Sequence, residues 1–469
     1  MRDARIIAAM LLAAVAALAG CGGQEGLPDD ERTAAADRAV RRRWGKPLAE
    51  LPVLTLEVIS PHNQDIKNEF TWAFSLHHAV EFGSRVDISW RDVGGGGTSI
   101  GDYLTAVYKQ SDASGIDVLW GGGEYVFNPL ARAGVLEKLD LPPDVPTNVP
   151  VTLGGMEMID AERRWIGSAV SGFGFMYNRG MLAACGVRPP EKWADLADAR
   201  FADVLALADP TQSGSAAMAY YMIVVSEPDW QRGWAKLLGV LANARQFYDS
   251  AGAAANAPVL GEALVATCID FYGIIRVAEA PDELAYVSPP GETTFGCDPI
   301  GILKNPPHPE LARRLVDFVM SPRGQALWAL AVGAPDGPVR SMLGRQPIRK
   351  DVYDLYADRF GAHVVNPYRT GQALQIAPEM ARVHFGVLRS LVAVAGVDNV
   401  NALRAARARL AVTPFEAWRL EEFNRLPDNV DTPDKTVRIA AEMKDPKAAD
   451  RILSGWRQFF RDKYAKVAQ

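Results

Sequence analysis

At 469 residues the chain has room for two or three domains, and 48% hydrophobic with 23% charged residues is ordinary globular composition. A formal net charge of −6 gives no electrostatic reason to expect a nucleic-acid partner and no general welcome for anions, so an anion site has to be local. With four cysteines and no CxxC, a zinc ribbon or a thioredoxin-like redox centre has no support.

The N-terminus reads as a leader. Arg2 and Arg5 precede an Ala/Leu-rich run over residues 6–18, too short to span a bilayer permanently and typical of a signal-peptide core. It ends in Leu18-Ala19-Gly20-Cys21-Gly22, which resembles the bacterial lipobox. That resemblance implies lipidation of Cys21 and anchoring to a membrane without a spanning helix; a plain secretory signal is the alternative. Residues 22–50 are polar, carry the basic knot Arg41-Arg42-Arg43, and are expected to form a tether with an exposed helix.

Compact structure is expected from the alternating strand at residues 54–59, which ends in Ser60-Pro61-His62-Asn63, a polar turn at the edge where open α/β sheets bind ligands. A helix closed by Gly83 follows, then a strand over 86–90. Glycines 94–97 lack the endings of a P-loop and the spacing of a dinucleotide fingerprint, so they read as an entrance to a helix over 102–109. A strand over 116–120 runs into Gly121-Gly122-Gly123-Glu124, completing a βαβαβ pattern that implies a mostly parallel sheet. Residues 165–178 read as a crossover strand. The strand-like run 204–208 then enters Asp209-Pro210-Thr211-Gln212-Ser213-Gly214-Ser215, with an apolar helix behind it over 216–225. Such a layout gathers free N–H groups at a positive helix end, and Ser213, Ser215 and Gly214 suit an anionic ligand group. A second helix over 229–244, a strand over 266–273 ending in polar groups, and a return strand over 298–303 come next; beyond about 345 the chain is Ala/Arg-rich and helical in pattern.

Five pieces in this order resemble the extracellular solute-binding proteins of bacterial ABC importers, in the branch containing ferric-ion, phosphonate and sugar-phosphate binders. They are Ala133-Gly134-Val135-Leu136-Glu137, Phe175-Met176-Tyr177-Asn178, Pro190-Glu191-Lys192-Trp193-Ala194-Asp195-Leu196, the 208–215 turn, and the run from Asp317 to Leu327 that includes Ser321-Pro322-Arg323-Gly324-Gln325. The match covers about residues 54–345. It implies an α/β, two-lobe clamp of the periplasmic-binding-protein type with mixed sheets, hinged around a solute cleft that closes on ligand. The corresponding division is 1–21 signal peptide, 22–50 tether, 51–160 with 298–345 as lobe 1, 161–297 as lobe 2, and 346–469 as a mainly helical extension that covers the first lobe, meets a partner or folds separately. The expected partners are a small-molecule solute, importer permease subunits and a membrane through the lipid, with the protein in the cell envelope facing the periplasm or exterior.

From lobe 1 the ligand candidates are Ser60, His62, Asn63, Gly122, Gly123 and Glu124; from lobe 2 they are Ser171, Thr211, Ser213, Gly214, Ser215, Asp270 and Tyr272. Neutral donors would wrap phosphate, phosphonate or carboxylate, with Glu124 and Asp270 accepting from hydroxyl or amino groups. Ferric binders of the family use two adjacent tyrosines near Asp270-Phe271-Tyr272, where this chain has one, so a ferric receptor stands second, and a ligand-less scaffold is a third reading. Tyr220-Tyr221 lies on a helix, where neighbours diverge by about 100° and packing is the expected role. No enzyme, cofactor or metal site is expected: HExxH is absent, His77-His78 sits in an apolar segment, and the GxSxG match at 97–101 follows glycines rather than a strand. Cys268 and Cys297 could pair, leaving Cys185 buried and free.

Overall fold

The computed structural model describes residues 30–469 except 95, 362, 370, 372, 377–384 and 414–415; Cys21 and the leader lie outside the described residues. The chain divides into two compact units, one built from residues up to Leu54 with Thr71–Val86 and the other from Thr55–Phe70 with Asp87–Gln469. In the smaller unit, α1 (Glu31–Trp44) buries Ala36 and Val40 with Leu48, Leu51, Leu76 and Ala79, so the tether region holds a helix that packs on one side.

Five strands form the first sheet of the larger unit: β2 (Arg85–Arg91), β1 (Val53–Ile59), β3 (Val118–Trp120), β11 (Phe295–Ile302) and the first half of β6 (Ile166–Asn178). β1 and β3 pair in parallel, as the βαβ pattern requires, while β11 pairs antiparallel with β3 and β6. Both early crossovers are helical: α2 (Gln64–Phe82) and α3 (Gly97–Tyr108). The latter starts inside the glycine run, five residues before the expected start, so the GxSxG serine lies on a helix and no nucleophile elbow forms there. α4 (Glu124–Arg132) follows β3, and a small hairpin of β4 (Thr152–Leu153) and β5 (Met156–Glu157) precedes β6.

β6 is the hinge in the topology. Residues up to Gly172 pair with β11, and from Phe173 onward the strand pairs with β9 (Val265–Ile269) and β10 (Leu284–Val287). β7 (Leu205–Ala208) and β8 (Ala244–Tyr248) complete the second sheet in parallel with β9. Around it lie α5 (Gly214–Val225), α6 (Trp230–Ala242) and α7 (Asp270–Glu279). β9 therefore ends at Ile269, and residues 270–273 open a helix instead of prolonging a strand. Tyr220 and Tyr221 are core residues: the Tyr220 hydroxyl donates to the Ala208 carbonyl at 2.7 Å and ties α5 to the end of β7.

α8 (Pro309–Met320) and α9 (Pro322–Leu327) follow β11. The first part of the extension lies against elements expected in lobe 1, with Arg349 pairing with Asp144 at 2.8 Å and bonding the Met320 carbonyl at 3.0 Å, whereas from Phe385 onward it covers the helices of the second sheet. α10 (Phe385–Val392), α11 (Val400–Val412), α12 (Ala417–Asn424), α13 (Pro433–Glu442) and α14 (Pro446–Ala468) share one apolar core with α5 and α6, including Leu391, Leu403, Phe423, Trp456, Phe460 and Tyr464 against Met222, Trp230, Trp234 and Leu238. Polar ties reinforce this: the Trp230 indole donates to the Val430 carbonyl at 3.0 Å, and Arg407 reaches the Ala197 carbonyl at 2.6 Å. Cys268 and Cys297 are separate buried thiols and Cys185 is exposed, which corrects both the expected pairing and the expected burial. No helix among the described residues is long and apolar enough to cross a membrane.

Candidate functional site

A cavity of about 310 Å³ opens where the two sheets meet, and four helix N-termini line it. His62, Asn63 and Ile66 come from the start of α2, where the Asn63 side chain accepts from the Ile66 N–H at 3.1 Å. Gly122, Gly123, Glu124 and Tyr125 come from α4, Gly214 and Ser215 from α5, and Ile269, Phe271 and Tyr272 from α7. The N-cap residues of α4 and α7, Gly123 and Ile269, make no side-chain cap, although the Phe271 N–H is taken by Asp270 at 2.8 Å and the Val126 N–H by the Gly123 carbonyl at 3.1 Å. Gly121, Gly122 and Gly123 all have left-handed φ angles (88°, 102° and 87°), and a Cβ on Gly121 would lie 2.8 Å from His62 Nε2. Glycine here permits both the turn and the close approach.

The charged centre of the cavity combines two residues the sequence reading passed over as site residues. Asp298 on β11 accepts from His62 Nε2 at 2.6 Å and pairs with Arg345 Nη1 at 3.0 Å. Burial alone would raise the Asp298 carboxyl, but Arg345 and His62 outweigh it and hold the group well below the usual carboxylate range. Burial lowers His62, so the neutral imidazole donates its Nε2 proton to Asp298; its Nδ1 has no hydrogen-bond partner among the described residues. The Arg345 guanidinium lies 4.4 Å above the Phe271 ring, and its buried Nε likewise has no hydrogen-bond partner among the described residues; the residue is only 9% exposed. What delivers Arg345 is a carboxylate on α2: Glu69 accepts the backbone N–H groups of Val339, Arg340 and Ser341 at 2.6–2.8 Å, while Gln346 exchanges backbone bonds with Val170 on β6.

Of the thirteen residues singled out from sequence, nine line the cavity: His62, Asn63, Gly122, Gly123, Glu124, Ser171, Gly214, Ser215 and Tyr272. The other four stand behind its wall. Ser60 Oγ accepts from the His62 N–H at 3.1 Å and shapes that loop. Ser213 caps α5 through Ala216 N–H and contacts Ser215 Oγ at 3.2 Å. Thr211 turns its hydroxyl onto Asp209 at 2.7 Å, away from the cavity. Asp270 accepts the N–H groups of Gly172 at 2.7 Å and Phe271 at 2.8 Å, so its oxygens knit the crossover strand to α7. Burial pushes both Glu124 and Asp270 up to about 7.

The cavity rim joins distant parts of the chain. A Cβ on Gly214 would meet the Tyr125 hydroxyl at 3.1 Å, and the Tyr125 ring stacks on Phe385 of α10 at 6.0 Å. Arg389, one turn along α10, bonds the carbonyls of Pro210 and Thr211 in the turn that enters α5. Among the described residues, no group of three or more His, Cys, Asp or Glu is placed to hold a metal ion.

A family described as bacterial extracellular solute-binding protein matches residues 115–350, half of the chain. The chain belongs to that family. Its fold is that of the periplasmic binding proteins: the apo ferric ion-binding protein A of Pasteurella haemolytica superposes with a TM-score of 0.55 at 15% identity, over 72% of this chain and 96% of that one. Iron-bound HitA from Pseudomonas aeruginosa gives 0.53 at 19% identity, over 72% and 99%. The phosphoglycerate transport regulatory protein PgtC of Salmonella typhimurium is 28% identical over 166 residues, 34% of this chain; the match spans 40% of that relative's length.

Proposed function

We propose that this protein is the solute receptor of an ABC importer, exported and anchored through a lipidated Cys21, and that it captures a small organic anion carrying phosphate, phosphonate or carboxylate. The observation that carries the reading is a nearly buried Arg345 lining a cavity at which four helix N-termini meet. A planar guanidinium and oriented N–H groups are complementary to oxyanions. Hydroxyl or amino groups on the solute would find an acceptor in Glu124. The receptor role is one of binding, not catalysis. A ferric role is the weaker reading, because this wall offers Tyr272 beside Phe271, while Tyr220 and Tyr221 are core residues.

The test is a thermal-shift screen with inorganic phosphate, sugar phosphates, phosphoglycerate, phosphonates, small carboxylates and ferric citrate. A solute that binds only the folded chain raises its melting temperature by mass action. The expected result is a shift with a phosphorylated, phosphonate or carboxylate solute that Ser213→Ala/Ser215→Ala abolishes. A shift with ferric citrate alone, or with none of the panel, overturns the proposal.

A further inference from the structure

We infer that the outer face and C-terminal end of α1 dock on an anionic phospholipid surface, holding the anchored protein against its membrane; the inference rests on the reading of Cys21 as the anchor. Residues 38–46 carry five cations (Arg38, Arg41, Arg42, Arg43 and Lys46) and no acid, in a chain whose net charge is −6. All five are exposed. Arg38, Arg41 and Arg42 recur at three- and four-residue spacing and so share a face, opposite the Ala36–Val40 stripe that packs inward. A helix C-terminus favours cations through its dipole, but that effect is confined to the last turn and does not reach Arg38. Two of the cations are engaged, Arg41 with Asp37 at 2.6 Å and Arg43 with Glu81 at 2.8 Å. Arg38, Arg42 and Lys46 make no ion pair among the described residues.

Apolar side chains accompany this charge. Trp44 is 41% exposed, Phe82 42%, Val53 50% and Leu54 40%. They cluster at one end of the smaller unit: the Trp44 indole donates to the Val80 carbonyl at 3.0 Å and lies against Gly83, and the Arg85 N–H donates to the Pro52 carbonyl at 2.8 Å. Basic side chains interleaved with tryptophan and aliphatics suit the headgroup layer of an anionic leaflet. Position agrees. Nine Cα-to-Cα steps separate Cys21 from Asp30, a reach of at most about 30 Å, so a lipid on Cys21 keeps α1 beside the bilayer.

The test is sedimentation of the unlipidated chain from Gly22 to Gln469, which retains every described residue, with vesicles of phosphatidylcholine alone or mixed with phosphatidylglycerol. Binding is expected only to the mixed vesicles, falling as salt rises. Arg38→Glu/Arg42→Glu should weaken it about 25-fold or more, each cation near such a surface contributing about fivefold. The variant should melt as the parent does, and Arg451→Glu/Arg461→Glu, an equal charge change on α14, should bind unchanged. Equal binding to neutral vesicles, undiminished binding of the first variant, or equal loss in the second overturns the docking face. So does binding confined to native membranes that contain protein. The anchor is read separately, by palmitate incorporation that Cys21→Ala abolishes. Incorporation without vesicle preference removes the docking face alone, and no incorporation overturns the tethered geometry.

Discussion

Arg345→Gln separates the ligand role of the charged centre from its structural role. A hydrogen bond to a charged group contributes about 1.5–3 kcal/mol net, and losing the guanidinium also leaves a bound anion facing Asp298 without compensation. Affinity for the solute found in the screen should therefore fall by about 2–4 kcal/mol, roughly 30- to 1000-fold in Kd. The same change removes one of two partners from the buried Asp298 carboxylate. Stripping a buried charge of its only partner costs on the order of 3–5 kcal/mol; here His62 stays at 2.6 Å, so the loss should lie near the lower figure. Arg345→Gln/Asp298→Asn removes both charges and should recover most of that stability while leaving binding weak. Calorimetric titration measures the first quantity and urea unfolding the second. A folded Arg345→Gln protein with the parent's Kd, or a double variant that regains affinity, would refute the assignment of Arg345 as the anion's partner.

Two other perturbations follow from the same geometry. Because burial pushes the Glu124 carboxyl up to about 7, its ionised form opposes an anion in the shared cavity. Solute affinity should rise as pH falls through about 7, and Glu124→Gln should flatten that rise; the solute's own titration is common to both proteins, so a parallel pair of calorimetric pH profiles defeats the claim. The sign for stability follows from linkage. The folded carboxyl titrates above its ordinary 4.5, so the native state holds more protons and stability falls as pH rises from about 4.5 to about 7, by less in the glutamine variant. In the extension, Phe460 is fully buried in the core shared with α5 and α6, so Phe460→Ala should cost about 3–5 kcal/mol in one cooperative transition that also abolishes solute binding. Two transitions, with the first leaving solute binding intact, would show that the extension folds by itself.

Local pattern made much of this legible. The turn entering α5 could be read because its parts are neighbours in sequence: β7, the Ser213 cap and the glycine behind it. The alternation of β6 likewise marked a strand long enough to serve both sheets. Asp298 and Arg345 were out of reach for the opposite reason. Asp298 looked like an ordinary strand residue, and Arg345 stands in an aperiodic stretch after α9. Its meaning comes from Asp298, Phe271 and Trp328, which meet it only through the fold. Asp270 failed at a finer level, because the sequence does not show that Gly172 N–H turns its carboxyl away from the cavity.

The position of the extension had a signal that local reading of α10–α14 could not supply. Their stripes indicate helices with one buried side, and a stripe does not say what it covers. The better evidence lay on α5, where Ala216, Ala217 and every residue from Ala219 to Val225 are buried, so no face is left for water. A helix apolar on every side needs cover on its outer surface as well as on its sheet. The elements before residue 300 supply only part of that cover, through α6 and the second sheet. Something later in the chain had to close the rest, and α10 does so with Val387, Leu391 and Val392, while α11 and α12 pack on α6. From Phe385 onward the extension is thus part of the core around the second sheet. Through Arg389 on the Pro210 and Thr211 carbonyls, it also sets the turn from which Gly214 and Ser215 face the cavity.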